Sequence, residues 1–457
     1  MEWLALVLFA LVFIALLTGF PVAFTLAGVS LIFAVVANLF GAFDMAFLQS
    51  IPNRIFGIMN NTNLIAVPLF VFMGIMLEQS KIAESLLQTM EEVMRGIKGG
   101  LGIAVIIVGA LLAASTGIVG ATVVTMGLLA LPTMLKQGYC PKVASGTICA
   151  SGTLGQIIPP SIVLILLGDV LSSSYQEAQL NQGIFSPETL SVGDLFVGAL
   201  LPGLLLVAAY MGYIVFKAIS HPEQIPNHTG EPVAPGLINR VIKSLLPPLF
   251  LILLVLGSIL GGYATPTEAA SLGALGALLL ALINRKLDIN TLKTVMQNTL
   301  QVTSMIFLIF IGAAFFSLVF RGLGGDDLIT ELITDLPGGV FTAMLIVMVL
   351  MFILGFFLDF IEIAYVVVPV VAPVLLMMGV DPIWLGIMIA INLQTAFLTP
   401  PFGFALFYLR GVAPPELKTA EIYRGTVPFI LIQLSMLGIL AIWPEIVTWL
   451  PNLVYAT

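Results

Sequence analysis

Charge is what this sequence lacks. Lysine, arginine, aspartate and glutamate make up 9% of its 457 residues, against roughly 25% in an ordinary soluble domain. The 16 basic and 24 acidic side chains are too few to cover a soluble protein of this length. A soluble enzyme, a nucleic-acid-binding protein and a disordered chain are therefore excluded, and no nucleic-acid partner is expected. Cysteine is scarcer still. Cys140 and Cys149 offer no disulfide framework and read as small packing residues. The two histidines, His221 and His228, share a polar loop without cysteine or carboxylate partners at metal-ligand spacing, so both read as structural or incidental. No basic segment precedes the first apolar run, which reads as a retained span rather than a cleaved leader.

Apolar sequence is what the chain has in quantity, at 60% of residues. The fold class expected is an all-α polytopic membrane protein. Runs of about 17–25 apolar residues can cross a bilayer. They occur near 3–19, 21–40, 63–79, 194–217, 243–261, 264–284, 299–320 and 424–443. Two longer runs, 140–172 and 383–411, are interrupted, and two more, 100–136 and 338–378, break in the middle around small or acidic residues. The segments 80–98 and 287–298 are amphipathic and are expected along the interface. Let 100–136 and 338–378 enter and leave on one face while the other ten segments cross. Fourteen of the 16 basic residues then share one side, and only Arg54 and Arg321 lie on the other. That bias marks the first side as cytoplasmic and places both termini outside.

The prolines reveal a repeat. Pro132, Pro141, Pro159 and Pro160 recur 241 residues later as Pro373, Pro382, Pro400 and Pro401, and Gly138 recurs as Gly379. The same offset carries 63–79 onto 304–320 and 3–40 onto about 243–284. Each half holds five crossings and one hairpin, and an odd number of crossings turns the second half upside down. Inverted repeats with broken helices are the architecture of secondary transporters. A duplicated structural subunit is the alternative, and it leaves the breaks unexplained.

The first broken helix reads SGTLGQIIPPS (151–161) and the second NLQTAFLTPPFG (392–403). Each Pro-Pro pair removes two backbone donors and disfavours helix in the preceding residue. Peptide groups freed inside a bilayer cost several kcal/mol each unless they face protein, water or an ion. Freed carbonyls with Ser, Thr, Asn and Gln oxygens suit Na⁺. The half-helices that resume near Ser161 and Phe402 point positive dipole ends inward, toward an anionic solute. A structural proline kink is the blander reading. The hairpin tips complement the breaks. The first, ASTGIVGAT (114–122), offers Ser115, Thr116 and Gly117; the second, GFFLDFIE (355–362), holds Asp359 and Glu362 in apolar surroundings. An intramembrane acid is a functional candidate. Asp359 aligns with Ile118 and could balance a cation or hold the free N–H groups of its tip; Glu362 fits a solvated edge equally well. The turn YATPTEAA (263–270) reads as a helix start, with Thr265 as cap, Pro266 next and Glu268 in the first turn.

These residues resemble the large membrane subunit of tripartite ATP-independent periplasmic (TRAP) transporters across nearly the whole chain. The specific points are GTLGQIIPPSI (152–162), LTPPFG (398–403), the TPTEAA turn and Asp359 in the second hairpin. The polar insert at 172–194 is similar to the branch labelled for mannitol and chloroaromatic compounds. The resemblance implies an elevator-type importer of the ion-transporter superfamily in the bacterial inner membrane. It implies Na⁺ as coupling ion, no organic cofactor and no enzymatic activity. Its implied partners are a small four-span membrane subunit, a periplasmic binding protein delivering a small organic acid or related polar solute, and membrane lipid.

By position, one Na⁺ site is implied at Ser115, Thr116, Gly117, Ser151, Gly152 and Thr153, and a second at Asp359, Asn392, Gln394 and Thr399. Solute is implied between the tips, contacting Ser115, Thr116, Ser161, Thr399 and Phe402. The first tip departs from the more serine-rich version of many members. The expected organisation is scaffold spans and an interfacial arm (1–98), hairpin and broken helix of a transport domain (99–175), and a polar loop with scaffold spans and a second arm (176–298). A scaffold span and loop (299–337), the second hairpin and broken helix (338–411) and a last scaffold span (412–457) complete it. Two alternatives stand beside this reading: a stand-alone anion or carboxylate transporter of the same superfamily, and an intramembrane enzyme. The second lacks any Ser/His/Asp or Cys/His constellation.

Overall fold

The computed structural model describes residues 3–226 and 236–455. His228 lies outside the described residues. Among the described residues there is no β-strand, and eight helices are long and apolar enough to cross a membrane, or nine if one bent pair is a single span. The first half begins with α1 (Trp3–Leu17), α2 (Val22–Leu39), α3 (Ile51–Asn60), α4 (Ala66–Gln79) and the amphipathic α5 (Ile82–Val93). The bent pair is α3 and its preceding turn joined to α4, with 56° between the two limbs. The first hairpin is α6 (Gly100–Thr116) with α7 (Val119–Lys136), and the first broken helix is α8 (Pro141–Thr153) with α9 (Ile162–Asn181). Then α10 (Val192–Ser220) closes the half. The second half runs α11 (Leu237–Ser244), α12 (Leu246–Leu260), α13 (Pro266–Ile283), α14 (Ile289–Gly322) and the short α15 (Gly325–Thr334). The second hairpin is α16 (Gly339–Leu354) with α17 (Phe360–Glu362), which continues through a π-turn into α18 (Val368–Met377). The second broken helix is α19 (Pro382–Leu398) with α20 (Phe404–Val412), followed by α21 (Thr419–Ile442) and α22 (Glu445–Tyr455).

These bounds follow the apolar runs closely, with three differences. Residues 287–298 do not form a separate interfacial segment: α14 is a continuous 34-residue helix that crosses the expected boundary at 298–299. The physical reason is local, because no glycine or proline interrupts 287–311 and Asp288 caps the start by accepting from the Thr291 N–H at 2.6 Å. The polar insert is helical in its first part, since α9 extends to Asn181. The last span starts earlier than expected, at Thr419.

Between helices in lipid there is little hydrophobic drive, so close packing through small residues carries the association. Gly146 of α8 and Gly425 of α21 put two backbones in direct contact: a Cβ on Gly146 would strike the Gly425 carbonyl, and one on Gly425 the Lys142 carbonyl. Two groups of helices emerge from such contacts. The helices α1, α2, α4, α12, α13 and α14 pack mainly among themselves, while the hairpins and broken helices pack with α10 and α21. Polar ties join the groups. Asn61 donates to Asp169 at 2.7 Å, Arg321 pairs with Glu177 at 2.8 Å, and Thr125 donates to Glu78 at 3.0 Å.

The YATPTEAA turn behaves as its sequence indicates. Thr265 accepts from the Glu268 N–H at 3.3 Å, and Glu268 accepts from the Thr265 N–H at 2.8 Å, completing a capping box at the start of α13. Thr265→Ala is expected to cost about 0.5–2 kcal/mol and Thr265→Ser far less. Melting temperatures in detergent check this, and equal values would remove the cap from the account. The histidine and cysteines are unremarkable in chemistry: His221 is exposed, with Nδ1 3.0 Å from the Ser220 hydroxyl, and Cys140 and Cys149 are free thiols, the latter buried.

Candidate functional site

Each hairpin tip sits on the break of the broken helix in its own half. In the first half the chain turns at Gly117, which takes a left-handed φ of +60°. A Cβ there would lie 3.1 Å from the Ile162 nitrogen, where α9 begins. Both arms of the hairpin flank the end of α8. A Cβ on Gly109 would be 2.6 Å from that of Ser151, a Cβ on Gly155 would be 3.3 Å from that of Ala113, and one on Gly152 would strike Val123 of α7. The second half repeats this with roles exchanged. A Cβ on Gly355 would sit 2.7 Å from that of Ala396, Asn392 Nδ2 donates to the Met348 carbonyl at 2.8 Å, and the ring of Phe357 in the tip lies tilted against that of Phe402, centroids 5.1 Å apart. Both breaks contain a cis peptide, Pro159–Pro160 and Pro400–Pro401, at the same offset of 241.

The freed backbone groups are partly met by protein. Ser161 donates to the Gln156 carbonyl at 3.0 Å, Tyr423 to the Pro401 carbonyl at 3.2 Å, and the Gly403 N–H to the Thr399 carbonyl at 3.0 Å. The hydroxyls of the candidate ion ligands donate backward along their own helices. Ser115 reaches the Leu112 carbonyl, Ser151 that of Ile148, Thr153 that of Ala150 and Thr399 that of Thr395, all at 2.7–3.0 Å. With the proton engaged, each oxygen keeps lone pairs for a cation or a donor. The Thr116 side chain lies outside the described set. Phe402 is 43% exposed and its ring touches that of Phe357 in the tip.

Asp359 does what one of its two readings requires. It is the N-cap of α17, accepting from the Phe360 N–H at 2.7 Å, and its own N–H donates to Glu362 at 3.2 Å. Glu362 is therefore not a solvated edge residue. It is 7% exposed, drawn in because its carboxylate closes this box.

Thr153 and Gln394, placed by resemblance in separate ion sites, meet each other. Gln394 Nε2 donates to Thr153 Oγ1 at 3.4 Å across a separation of 241 residues. Residues related by the repeat touch only where the two-fold relation between the halves passes, so this pair marks the axis. Around it the structure adds residues that the motifs did not single out. The buried Tyr210 hydroxyl of α10 faces both and accepts from Gln433 of α21 at 2.7 Å. Gln394 Oε1, Gln433 Oε1 and both amide atoms of Gln156 are buried without a hydrogen-bond partner among the described residues. The available signal was a lone polar residue in an apolar span, Gln433 within FILIQLSM and Tyr210 within LLLVAAYM. Buried amides without a protein partner are sites that water, an ion or a solute can complete.

An all-helical membrane chain in two related halves, each seating a hairpin tip on a broken helix, is a polytopic transporter of the inverted-repeat type. Residues 9–446 match the family described as tripartite ATP-independent periplasmic transporter, DctM component. The chain belongs to that family, as a large permease subunit and not an enzyme. It is 28% identical over 450 residues to the C4-dicarboxylate TRAP transporter large permease protein DctM of Rhodobacter capsulatus, covering 98% of this chain and 99% of that one. It is 29% identical over 456 residues to the ectoine/5-hydroxyectoine TRAP transporter large permease protein UehC of Ruegeria pomeroyi, covering 99% and 100%. Its fold is shared by the Alcanivorax borkumensis YdaH transporter, with a TM-score of 0.61 at 16% identity over 87% of this chain and 88% of that one.

Proposed function

We propose that this chain forms the membrane path of a Na⁺-coupled importer for a small carboxylate-bearing solute. The solute is handed over by a periplasmic binding protein, and a small membrane subunit completes the transporter in the bacterial inner membrane. The observation that carries the reading is the paired arrangement of tip on break, which sets the Gly117 turn against the start of α9 and Phe357 against Phe402 just before α20, in segments rich in hydroxyl and amide side chains. Oxygens suit Na⁺, and the positive end of a half-helix suits a carboxylate. Dicarboxylate and ectoine, named for two relatives, share that group. In this reading Ser115, Gly117 and Ser151 serve one ion and Asn392, Thr399 and the Asp359 carboxylate the other. Thr153 and Gln394 lie between them, and the buried, unpaired Gln156 amide near the first break is available to the ion or the solute.

The two helix groups supply the moving parts of an elevator. The hairpins and broken helices would slide as one body against α1, α2, α4 and α12–α14. Because α10 and α21 pack on the broken helices, they travel with that body in this reading, rather than with the scaffold that 176–298 and 412–457 suggest. Sliding must break the Asn61–Asp169 and Arg321–Glu177 ties.

The test is uptake into proteoliposomes holding this chain with its small subunit and binding protein, offered labelled C4-dicarboxylate or ectoine. Removing either the Na⁺ gradient or the binding protein is expected to lower uptake at least about tenfold, a change of about 1.4 kcal/mol. Equal uptake driven by protons alone would overturn the Na⁺ assignment. Uptake indifferent to the binding protein would instead leave a stand-alone carboxylate transporter.

A further inference from the structure

At the end of the bundle that carries most of the basic residues, α5, α11 and the turn after α13 enclose a cavity of about 350 Å³. Lys81, Arg240, Lys243 and Lys286 line it against a single carboxylate, Glu92. Glu92 is already matched, pairing with Arg240 at 2.8 Å. The hydroxyls of Ser85 and Ser244 meet across the cavity at 2.7 Å and add neutral donors. None of these residues belongs to the hairpins or the broken helices, so the cavity stands apart from the transport site.

What lies beside the cavity bears on its occupant. Helices α11 and α12 run on as one apolar stretch, and Leu246 and Phe250 follow Lys243 by three and seven residues, on the same helical face. Both are largely exposed, as are Leu282 and Ile283 just before the turn that carries Lys286. A cationic cavity therefore opens beside exposed apolar helix surface of the kind that acyl chains cover in a bilayer. A free anion would use the cavity and leave that surface unaccounted for. Basic pockets between membrane helices on the cytoplasmic side are suited to anionic head groups.

We propose that this cavity holds the phosphate head group of an anionic phospholipid, phosphatidylglycerol or cardiolipin, from the inner leaflet. Its acyl chains lie along Leu246 and Phe250. The lipid joins the amphipathic α5 to α11 and α13 and so braces the arm that leads into the first hairpin.

Thermal unfolding of the full chain in detergent, titrated with phosphatidylglycerol, cardiolipin or phosphatidylcholine, tests it. The anionic lipids are expected to raise the melting temperature saturably and phosphatidylcholine to leave it unchanged. Lys243→Gln with Lys286→Gln, both at exposed positions, should raise the half-saturating lipid fraction at least about fivefold. Lys136→Gln with Lys142→Gln, equal in charge but outside the cavity, should not. Equal shifts in the two pairs, or an equal response to phosphatidylcholine, would overturn the site. An equal stabilisation by glycerol phosphate at the same concentration would overturn the lipid as its source.

Discussion

Substituting leucine for Gly146 is expected to leave no folded protein. The α8–α21 crossing is the closest backbone approach between the first broken helix and the last long span, and Gly146 and Gly425 stand at its centre. A flexible side chain in the way can turn aside, but here the obstacle to a new Cβ is a peptide carbonyl on each side. Separation of the helices is the only relief. It would strip contact from the buried neighbours Thr147, Ile148 and Ile422 and open the polar pair at Gln433. Overpacking a core costs about 1–3 kcal/mol where side chains can yield, and this case exceeds that range because none can. Size-exclusion profiles and melting curves in detergent read the outcome. Gly438→Leu on the same α21 is the control, since a Cβ there meets nothing and the helix face is exposed. A monodisperse Gly146→Leu protein with an unchanged melting temperature would mean that the two helices are not in contact.

The second large effect concerns Asp359, and two substitutions separate its two duties. Asparagine keeps an oxygen to accept from the Phe360 N–H and ranks with aspartate as an N-cap. Asp359→Asn should therefore keep its melting temperature while losing the charge. In the Na⁺-coupled reading, the Na⁺ concentration for half-maximal uptake then rises at least about tenfold, equivalent to about 1.4 kcal/mol of ion binding. Asp359→Ala loses the cap as well, at a further cost of about 0.5–2 kcal/mol. It leaves the Glu362 carboxylate facing a helix start with no side-chain cap, so it should both melt lower and need more Na⁺. Wild-type Na⁺ dependence in the asparagine variant would confine Asp359 to holding the tip together.

How much of this was legible from sequence depended on whether the signal was local. The hairpins and broken helices were, because Pro159–Pro160, Pro400–Pro401 and Gly117 interrupt long apolar runs at the very places where the backbone turns. The capping box at Thr265 was, because its partners are three residues apart. Glu362 was not placed, although its partner is equally near. Apolar flanks on both sides of GFFLDFIE do not say which acid faces the helix start. Least legible were contacts across large separations. Nothing near Gly146 in the chain announces Gly425, and nothing near Tyr210 announces Gln433, 223 residues away. Thr153 and Gln394 lie in segments whose sequence points to function, but their meeting depends on how two halves dock, which no local pattern encodes. The continuity of α14 was readable in the absence of glycine and proline, and the polarity of 287–298 concealed it.

The Thr153–Gln394 contact also speaks about descent. In a two-fold dimer of half-length chains, a residue on the axis has its own copy as neighbour. A single gene can place only like beside like there, threonine against threonine or glutamine against glutamine. Two halves joined in one chain are free of that restriction, and here one side presents a hydroxyl and the other an amide, setting an acceptor against a donor. Away from the axis the two equivalent positions need not match, as Gln156 and its counterpart Phe397 show. At the axis they share one small volume, and any change on one side has to be answered on the other.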